Sequence, residues 1–253
     1  MNAFLNWSGG KDSALCLHYA GQQGLSFNRL LTAINEETGR IAMHGVPRQL
    51  LEAQAAALGK ELTVMQLPAA PGMQEYEAVL GATHLSLQSE GFTHAAYGDL
   101  FLEDLRRYRE SELSKVGLEP LFPLWGMNTT ELLEEFIRLR FRAVVVAVNE
   151  SLLPRSFCGR ELDASFLNDL PQGVDPCGEN GEYHSFVYDG PVFLRPVLFA
   201  GGAVVQRSYP APRGKDDCFA EPQPETVFSF LELIPERKNA SRRFGRPLRC
   251  LAD

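Results

Sequence analysis

Over the first half of the chain, short apolar runs alternate with amphipathic stretches. AFLNW (3–7), RLLTAI (29–34), ELTVMQL (61–67) and THAAYGDL (93–100) predict strands, the last running into a Gly-Asp turn. Residues 12–22 predict a helix, with Leu15 and Leu17 among small residues. Pro47 opens a second helix through LLEAQAAALG, and Gly59 is its natural stop. A third covers about 73–90 and ends at Gly91; a fourth, charged, covers 102–116. Strand–helix alternation predicts βαβ units and an α/β, doubly wound parallel sheet.

The pattern changes after residue 124. Thr129 or Thr130 is the expected cap of a helix over TELLEEFIRLRF, and AVVVAV (143–148) predicts a buried strand. A loop-rich stretch, PQGVDPCGENGEYHSF (171–186), precedes short strand-like pieces: FVYDG, VFLRPVLF, AVVQRSY and TVFSFLELI. The expected organisation is a first domain over residues 1–126, a smaller α+β domain over 127–235 and a basic tail over 236–253. That tail carries Arg237, Lys238, Arg242, Arg243, Arg246 and Arg249. It reads as a solvated terminus or, alternatively, as a segment docked on a neighbouring subunit of a homodimer.

Composition narrows the function classes. Of the 253 residues, 45% are hydrophobic and 22% charged, an ordinary globular balance. A formal net charge of -8 weighs against a general nucleic-acid-binding surface. The cysteines (Cys16, Cys158, Cys177, Cys218 and Cys250) are odd in number and form no CxxC pair, as expected of a reduced cytoplasmic protein without a zinc knuckle. Neither a signal-peptide pattern nor an apolar run long enough to cross a bilayer occurs in the sequence, so no membrane is expected among its partners.

Candidate chemistry begins at Ser8-Gly9-Gly10-Lys11-Asp12-Ser13, where the first strand feeds the first helix. Glycines there let the backbone approach a ligand closely. A helix N-terminus favours negative charge, Ser8 and Ser13 add hydroxyls, and Lys11 adds a full positive charge. Together these suit a multiply charged anion. The loop is not a Walker A sequence: the first glycine would fall at Leu5, and Asp12 stands where Ser or Thr is required. Transfer of a γ-phosphate is therefore not expected. G-x-G-x-x-G is absent too, which excludes the dinucleotide fingerprint.

SGGKDS instead resembles the PP-loop of the N-type ATP pyrophosphatases, in the adenine nucleotide alpha hydrolase-like superfamily with its Rossmann-like (HUP) fold. Three further stretches narrow the likeness: Met43-His44-Gly45 with PRQLLEAQAAALG, Tyr97-Gly98-Asp99-Leu100 with the helix after it, and CGENGEYHSFV (177–187). Together they resemble the diphthine–ammonia ligase (diphthamide synthase) family over roughly residues 1–195. The resemblance implies an ATP-dependent ligase that forms AMP and pyrophosphate. A carboxylate, that of diphthine on elongation factor 2, would be activated as an acyl-adenylate and attacked by ammonia supplied as ammonium.

Residue roles follow from the same resemblance. Ser8, Gly9, Gly10, Lys11, Asp12 and Ser13 would cradle the pyrophosphate of ATP, and Asp12 would bind Mg2+ or cap the helix. Gly98 and Asp99 would form an active-site loop near the adenylate, where His44 also makes contact. Lys11, Asp12 and Asp99 are the catalytic candidates. Arg106, Arg107 and Arg109 form a solvated helix face or meet phosphate. Cys177, Glu179, Glu182, Tyr183 and His184 would recognise the substrate, with the two acids holding ammonium or a trimethylammonium group. For Cys177 a metal-ligand or nucleophile role stays open at this point. Alternatives are the same adenylation on another carboxylate, a non-catalytic ATP or AMP sensor, and tRNA modification; the acidic charge and the lack of a CxxC pair weigh against the last.

Overall fold

A computed structural model describes residues 1–41, 43–209 and 225–236. Strands β1 (Ala3–Asn6), β2 (Phe27–Asn35), β3 (Glu61–Leu67), β4 (His94–Ala96) and β5 (Glu119–Leu121) form a parallel sheet in the order β3-β2-β1-β4-β5. Four helices cross over between them: α1 (Lys11–Gln22), α2 (Arg48–Leu58), α3 (Met73–Ser89) and α4 (Glu103–Ser114). The period-two alternation of β1 sorts its side chains onto two cores. Ala3 and Leu5 pack with Leu15, Leu50 and Leu51 of α1 and α2. Phe4 packs with Leu80, Leu87 and Leu113 of α3 and α4. The sheet is thus doubly wound, as the alternation predicts. Its strand order reverses between β1 and β4, so a crevice opens at their carboxyl ends.

The later residues build a separate antiparallel sheet. Strands β6 (Arg142–Asn149), β7 (Tyr183–Asp189), β8 (Phe199–Tyr209) and β9 (Thr226–Pro235) lie in the order β7-β6-β9-β8. Helices α5 (Thr129–Arg138) and α6 (Ala164–Asp169) accompany it. Val145 and Phe186 share one core with Leu15 and Leu51, so the second sheet packs on the α1/α2 side of the first. Among the described residues, no helix is long and apolar enough to cross a membrane.

Several local expectations need correction. Strand β4 is three residues long: Tyr97 still donates its amide to the Leu121 carbonyl, and Gly98 then passes against the first turn of α1. Asn128, not Thr129 or Thr130, caps α5, its side chain accepting from the Thr130 and Glu131 amides. VFLRPVLF is not a strand before Phe199; the run supplies Val197 to the core and leaves Leu194 and Leu198 exposed. Strand β5 and helix α6 escape the apolar pattern because each is too short to show a period. The basic stretch from Arg237 onward, Cys218 and Cys250 lie outside the described residues.

Candidate active site

Ser8–Gly10 link β1 to α1 at the switch point of the sheet. Gly9 has φ +80°, and a Cβ there would stand 2.8 Å from Gln54 Oε1, so only glycine fits. The loop is tied internally: the Gly10 amide donates to Ser8 Oγ at 3.2 Å, and Ser13 Oγ donates to the Gly10 carbonyl at 2.9 Å. It is tied externally as well. The Val187 amide donates to the Gly9 carbonyl at 2.9 Å, and the Lys11 amide donates to Ser185 Oγ at 3.1 Å. Both partners lie on β7, so the second sheet holds the loop from above. The opposite rim of the crevice is equally tight. A Cβ on Gly98 would come within 2.9 Å of the Asp12 backbone.

A cavity of about 400 Å3 opens over this loop. Ser8, Gly10, Lys11, Asp12 and Ser13 line it on one side, with Gly98, Asp99 and His44 beside them. Cys177, Glu179, Tyr183 and His184 line it from the second half of the chain. The two distant motifs of the sequence therefore meet across one space. Gly9 sits behind the loop surface, and Glu182 also stays out of the lining.

Lys11 is buried, and its Nζ donates to both oxygens of Asp12 at 2.7 and 2.8 Å. The Tyr183 ring lies 5.5 Å from the same ammonium. Burial disfavours the charge on Lys11, but Asp12 and the acidic surroundings more than offset it and hold the pKa well above the ordinary lysine value. Lys11 is therefore a fixed cation at the mouth of α1. Asp12 neither caps α1 nor stands free, because its carboxylate is taken up by Lys11.

The CGENGEY loop is organised by Glu182. That side chain is buried and accepts from the Asp175 amide at 3.0 Å, the Asn180 amide at 3.0 Å and Asn180 Nδ2 at 3.1 Å. Its carboxylate is consumed by its own loop, whereas that of Glu179 faces the cavity. Burial and the neighbouring Asp12, Asp99 and Asp175 push the Glu179 carboxyl up to about 8, against the pull of Lys11. Cys177 is buried, donates its thiol to the Thr129 carbonyl at 3.3 Å and is pushed up to about 12 by burial. A thiol so protonated is a poor nucleophile. Tyr183 donates its hydroxyl to the Pro176 carbonyl at 2.6 Å, closing the loop onto β7.

Two further pairs frame the space. The imidazoles of His44 and His184 lie 4.4 Å apart, centroid to centroid. Burial, then His44 and Lys11, hold His184 well below the usual histidine range, so it is neutral. Asp99 is clamped by Arg109, whose Nε and Nη2 donate at 2.5 and 3.2 Å. The Arg109 guanidinium also stacks 4.1 Å from the Tyr97 ring. Of the three arginines on α4, Arg109 lines the cavity; Arg106 lies over Phe122 and Trp125, and Arg107 is exposed. Among the described residues, no three His, Cys, Asp or Glu side chains are grouped to hold a metal.

Sequence reasoning missed Gln54. It is fully buried on α2 and makes three bonds to two segments: Trp7 Nε1 and the Gly9 carbonyl in the β1–α1 link, and the Val187 carbonyl on β7. A signal was present: Gln54 shares the helical face of Leu50, Leu51 and Leu58, and a polar residue on an apolar stripe needs partners.

Comparison with known proteins agrees with this geometry. The diphthamide synthase N-terminal domain matches residues 1–120, and the diphthamide synthase C-terminal domain matches residues 128–199. The chain belongs to the diphthamide synthase family. The two matched domains carry the two faces of the cavity, the SGGKDS loop in one and the CGENGEY loop in the other. A diphthine–ammonia ligase of Homo sapiens is 29% identical over 258 residues, 92% of each chain. One of Bos taurus is 34% identical over 143 residues, so the alignment spans about half of the bovine relative (50%) and 54% of this chain. One of Danio rerio is 31% identical over 147 residues, 56% of this chain and 54% of the relative.

Proposed function

We propose that this protein is an ATP-dependent amide ligase of the diphthine–ammonia type. The observation that carries the reading is the convergence of the SGGKDS loop and the CGENGEY loop on one cavity. Residues 1–126 would serve ATP binding and 127–235 substrate recognition. A carboxylate oxygen attacks the α-phosphorus of ATP, the bond from that phosphorus to the bridging oxygen breaks, and pyrophosphate leaves. Ammonium gives up one proton to become ammonia, whose nitrogen attacks the acyl carbon; the bond to the AMP oxygen breaks, a second proton is lost from nitrogen, and two hydrogens stay on the amide. A free carboxylate resists amide formation because its leaving group would be hydroxide or oxide, whereas AMP leaves readily.

The side chains support this division of labour. Lys11, a permanent cation beside the N-terminus of α1, meets the charge that develops on pyrophosphate. Ser8, Gly9, Gly10 and Ser13 shape the cradle, and Gly98 lets the opposite rim approach it. Asp99, set in place by Arg109, faces the adenylate, with the neutral His184 and its neighbour His44 beside it. Glu179, facing the cavity among other acids, holds the ammonium ion or the quaternary ammonium of diphthine. Cys177, Glu182 and Tyr183 fix the loop that carries it.

Mg2+ fits this donor set. The cavity is acidic enough to raise Glu179, and a hard cation that keeps most of its waters needs only one or two carboxylates besides phosphate oxygens. Asp12 would hold it, exchanging part of its bond to Lys11. When bound, the ion neutralises charge on the leaving pyrophosphate. Elongation factor 2 carrying diphthine is the proposed acceptor, and the cytoplasm the proposed compartment.

The test is a product analysis. The protein is incubated with ATP, Mg2+, ammonium and diphthine-bearing elongation factor 2, and nucleotides are separated. AMP and pyrophosphate in step with amide formation are expected; ADP as the product would sink the reading.

A further inference from the structure

The phosphate loop is held in shape by a side chain that belongs to neither motif. Gln54 Nε2 donates to the Gly9 carbonyl at 3.0 Å and to the Val187 carbonyl at 2.6 Å, while Gln54 Oε1 accepts from Trp7 Nε1 at 2.8 Å. Both amide hydrogens and the amide oxygen are thus used, in a site closed to solvent. The Val187 amide donates to the same Gly9 carbonyl, so this oxygen is fixed by two donors. A trans peptide is planar, and its carbonyl and the following N–H point to opposite sides. Pinning the Gly9 oxygen against α2 and β7 therefore turns the Gly10 N–H the other way, where it donates to Ser8 Oγ, and both Ser8 and Gly10 line the cavity. No group of Gln54 itself lines that cavity.

We infer that Gln54 is a positioning residue for the β,γ-phosphates: it aims the Gly9–Gly10 peptide and locks the phosphate loop to β7. The inference rests on the ligase reading above for the identity of the anion, and it adds a residue that the reading does not need. Gln54 acts through the loop and touches no substrate. Its effect is therefore confined to ligands that carry the terminal phosphates. AMP lacks them and serves as the internal control.

The experiment measures ATP, pyrophosphate and AMP affinity by calorimetry, with melting temperature alongside. Gln54→Met keeps the volume and removes all three bonds. Gln54→Glu keeps the acceptor for Trp7 and sets an oxygen against two carbonyls. Both variants are expected to weaken ATP and pyrophosphate about tenfold, the effect of one misaimed buried donor, and to leave AMP within about twofold. A merely structural role would lower the melting temperature and reduce all three affinities together, or none, and either result overturns the inference. Should neither variant fold, the wild type decides. Pyrophosphate must shift the Gln54 side-chain amide signals in a nitrogen–proton spectrum where AMP does not, and unmoved signals at saturation overturn it. A wild type that binds pyrophosphate and ATP no better than AMP would instead defeat the ligase reading of the loop.

Discussion

Lys11 and Glu179 are ionisable groups facing one cavity, and burial disfavours the charge on both. Lys11 stays ionised because acids surround it; burial first, and then those same acids, make Glu179 resist ionisation. A pH dependence follows, with its sign set by the raised carboxyl. Glu179 is protonated below about 8 and becomes a carboxylate above it. A quaternary ammonium ion, which does not titrate, should bind more tightly as pH rises through that value, and the rise should vanish in Glu179→Gln. Titration by calorimetry at a series of pH values checks this; a pH-independent wild type contradicts it. Cys177 gives a second expectation. Its thiol is a buried donor to Thr129, so Cys177→Ala should keep the rate of AMP formation within about threefold while lowering stability by about 1 kcal/mol. A loss of a hundredfold or more in a folded variant would restore the nucleophile. At this scale the sequence displays a site well where its residues are contiguous, as in SGGKDS, which lines one side of the cavity. It conceals the tasks of Glu182 and Gln54, because each is defined by partners that only the fold supplies.

The helices and strands were legible where the pattern is long enough to have a period. ELTVMQL is a strand over the same residues in the structure, and Gly59 ends α2 in a left-handed turn as its position suggests. Short pieces carry no such signal, which is why β5 and α6 went unread. Helix α3 adds a test of its own. His84 is buried against Phe4, and neither of its ring nitrogens meets a hydrogen-bond partner among the described residues. Burial drives its pKa down to about 4 from 6.5. The unfolded chain therefore takes up a proton below about 6.5 while the folded chain refuses it until about 4. Stability is lost as pH falls through that window, by up to about 3 kcal/mol. His84→Leu should remove this acid sensitivity and raise the melting temperature at neutral pH by a few degrees, since it replaces an unsatisfied polar ring with an apolar side chain. Thermal melts of both proteins across this range check it; parallel curves would contradict the assignment.

At the scale of the whole molecule, the doubly wound sheet supplies a crevice and the SGGKDS loop proposed to cradle an anion, and the antiparallel sheet closes over it. Ser185 and Val187 on β7 bond the loop directly, so the two sheets are joined at the point where ATP would bind. The change of pattern along the sequence anticipated a parallel α/β sheet followed by a separate sheet. It held no indication that the second half would supply hydrogen bonds to the first motif, because Lys11 and Ser185 are far apart in the chain and the bond joins a backbone amide to an ordinary serine. What the joined architecture is for can be read from the fate of a single atom. A diphthine acceptor is prepared with a heavy oxygen isotope in its carboxylate, turned over with ATP and ammonium, and the nucleotide product is weighed by mass spectrometry. If the carboxylate attacks the α-phosphorus, each AMP released carries one labelled oxygen. Label appearing in inorganic phosphate beside ADP, or AMP free of label, would contradict the acyl-adenylate.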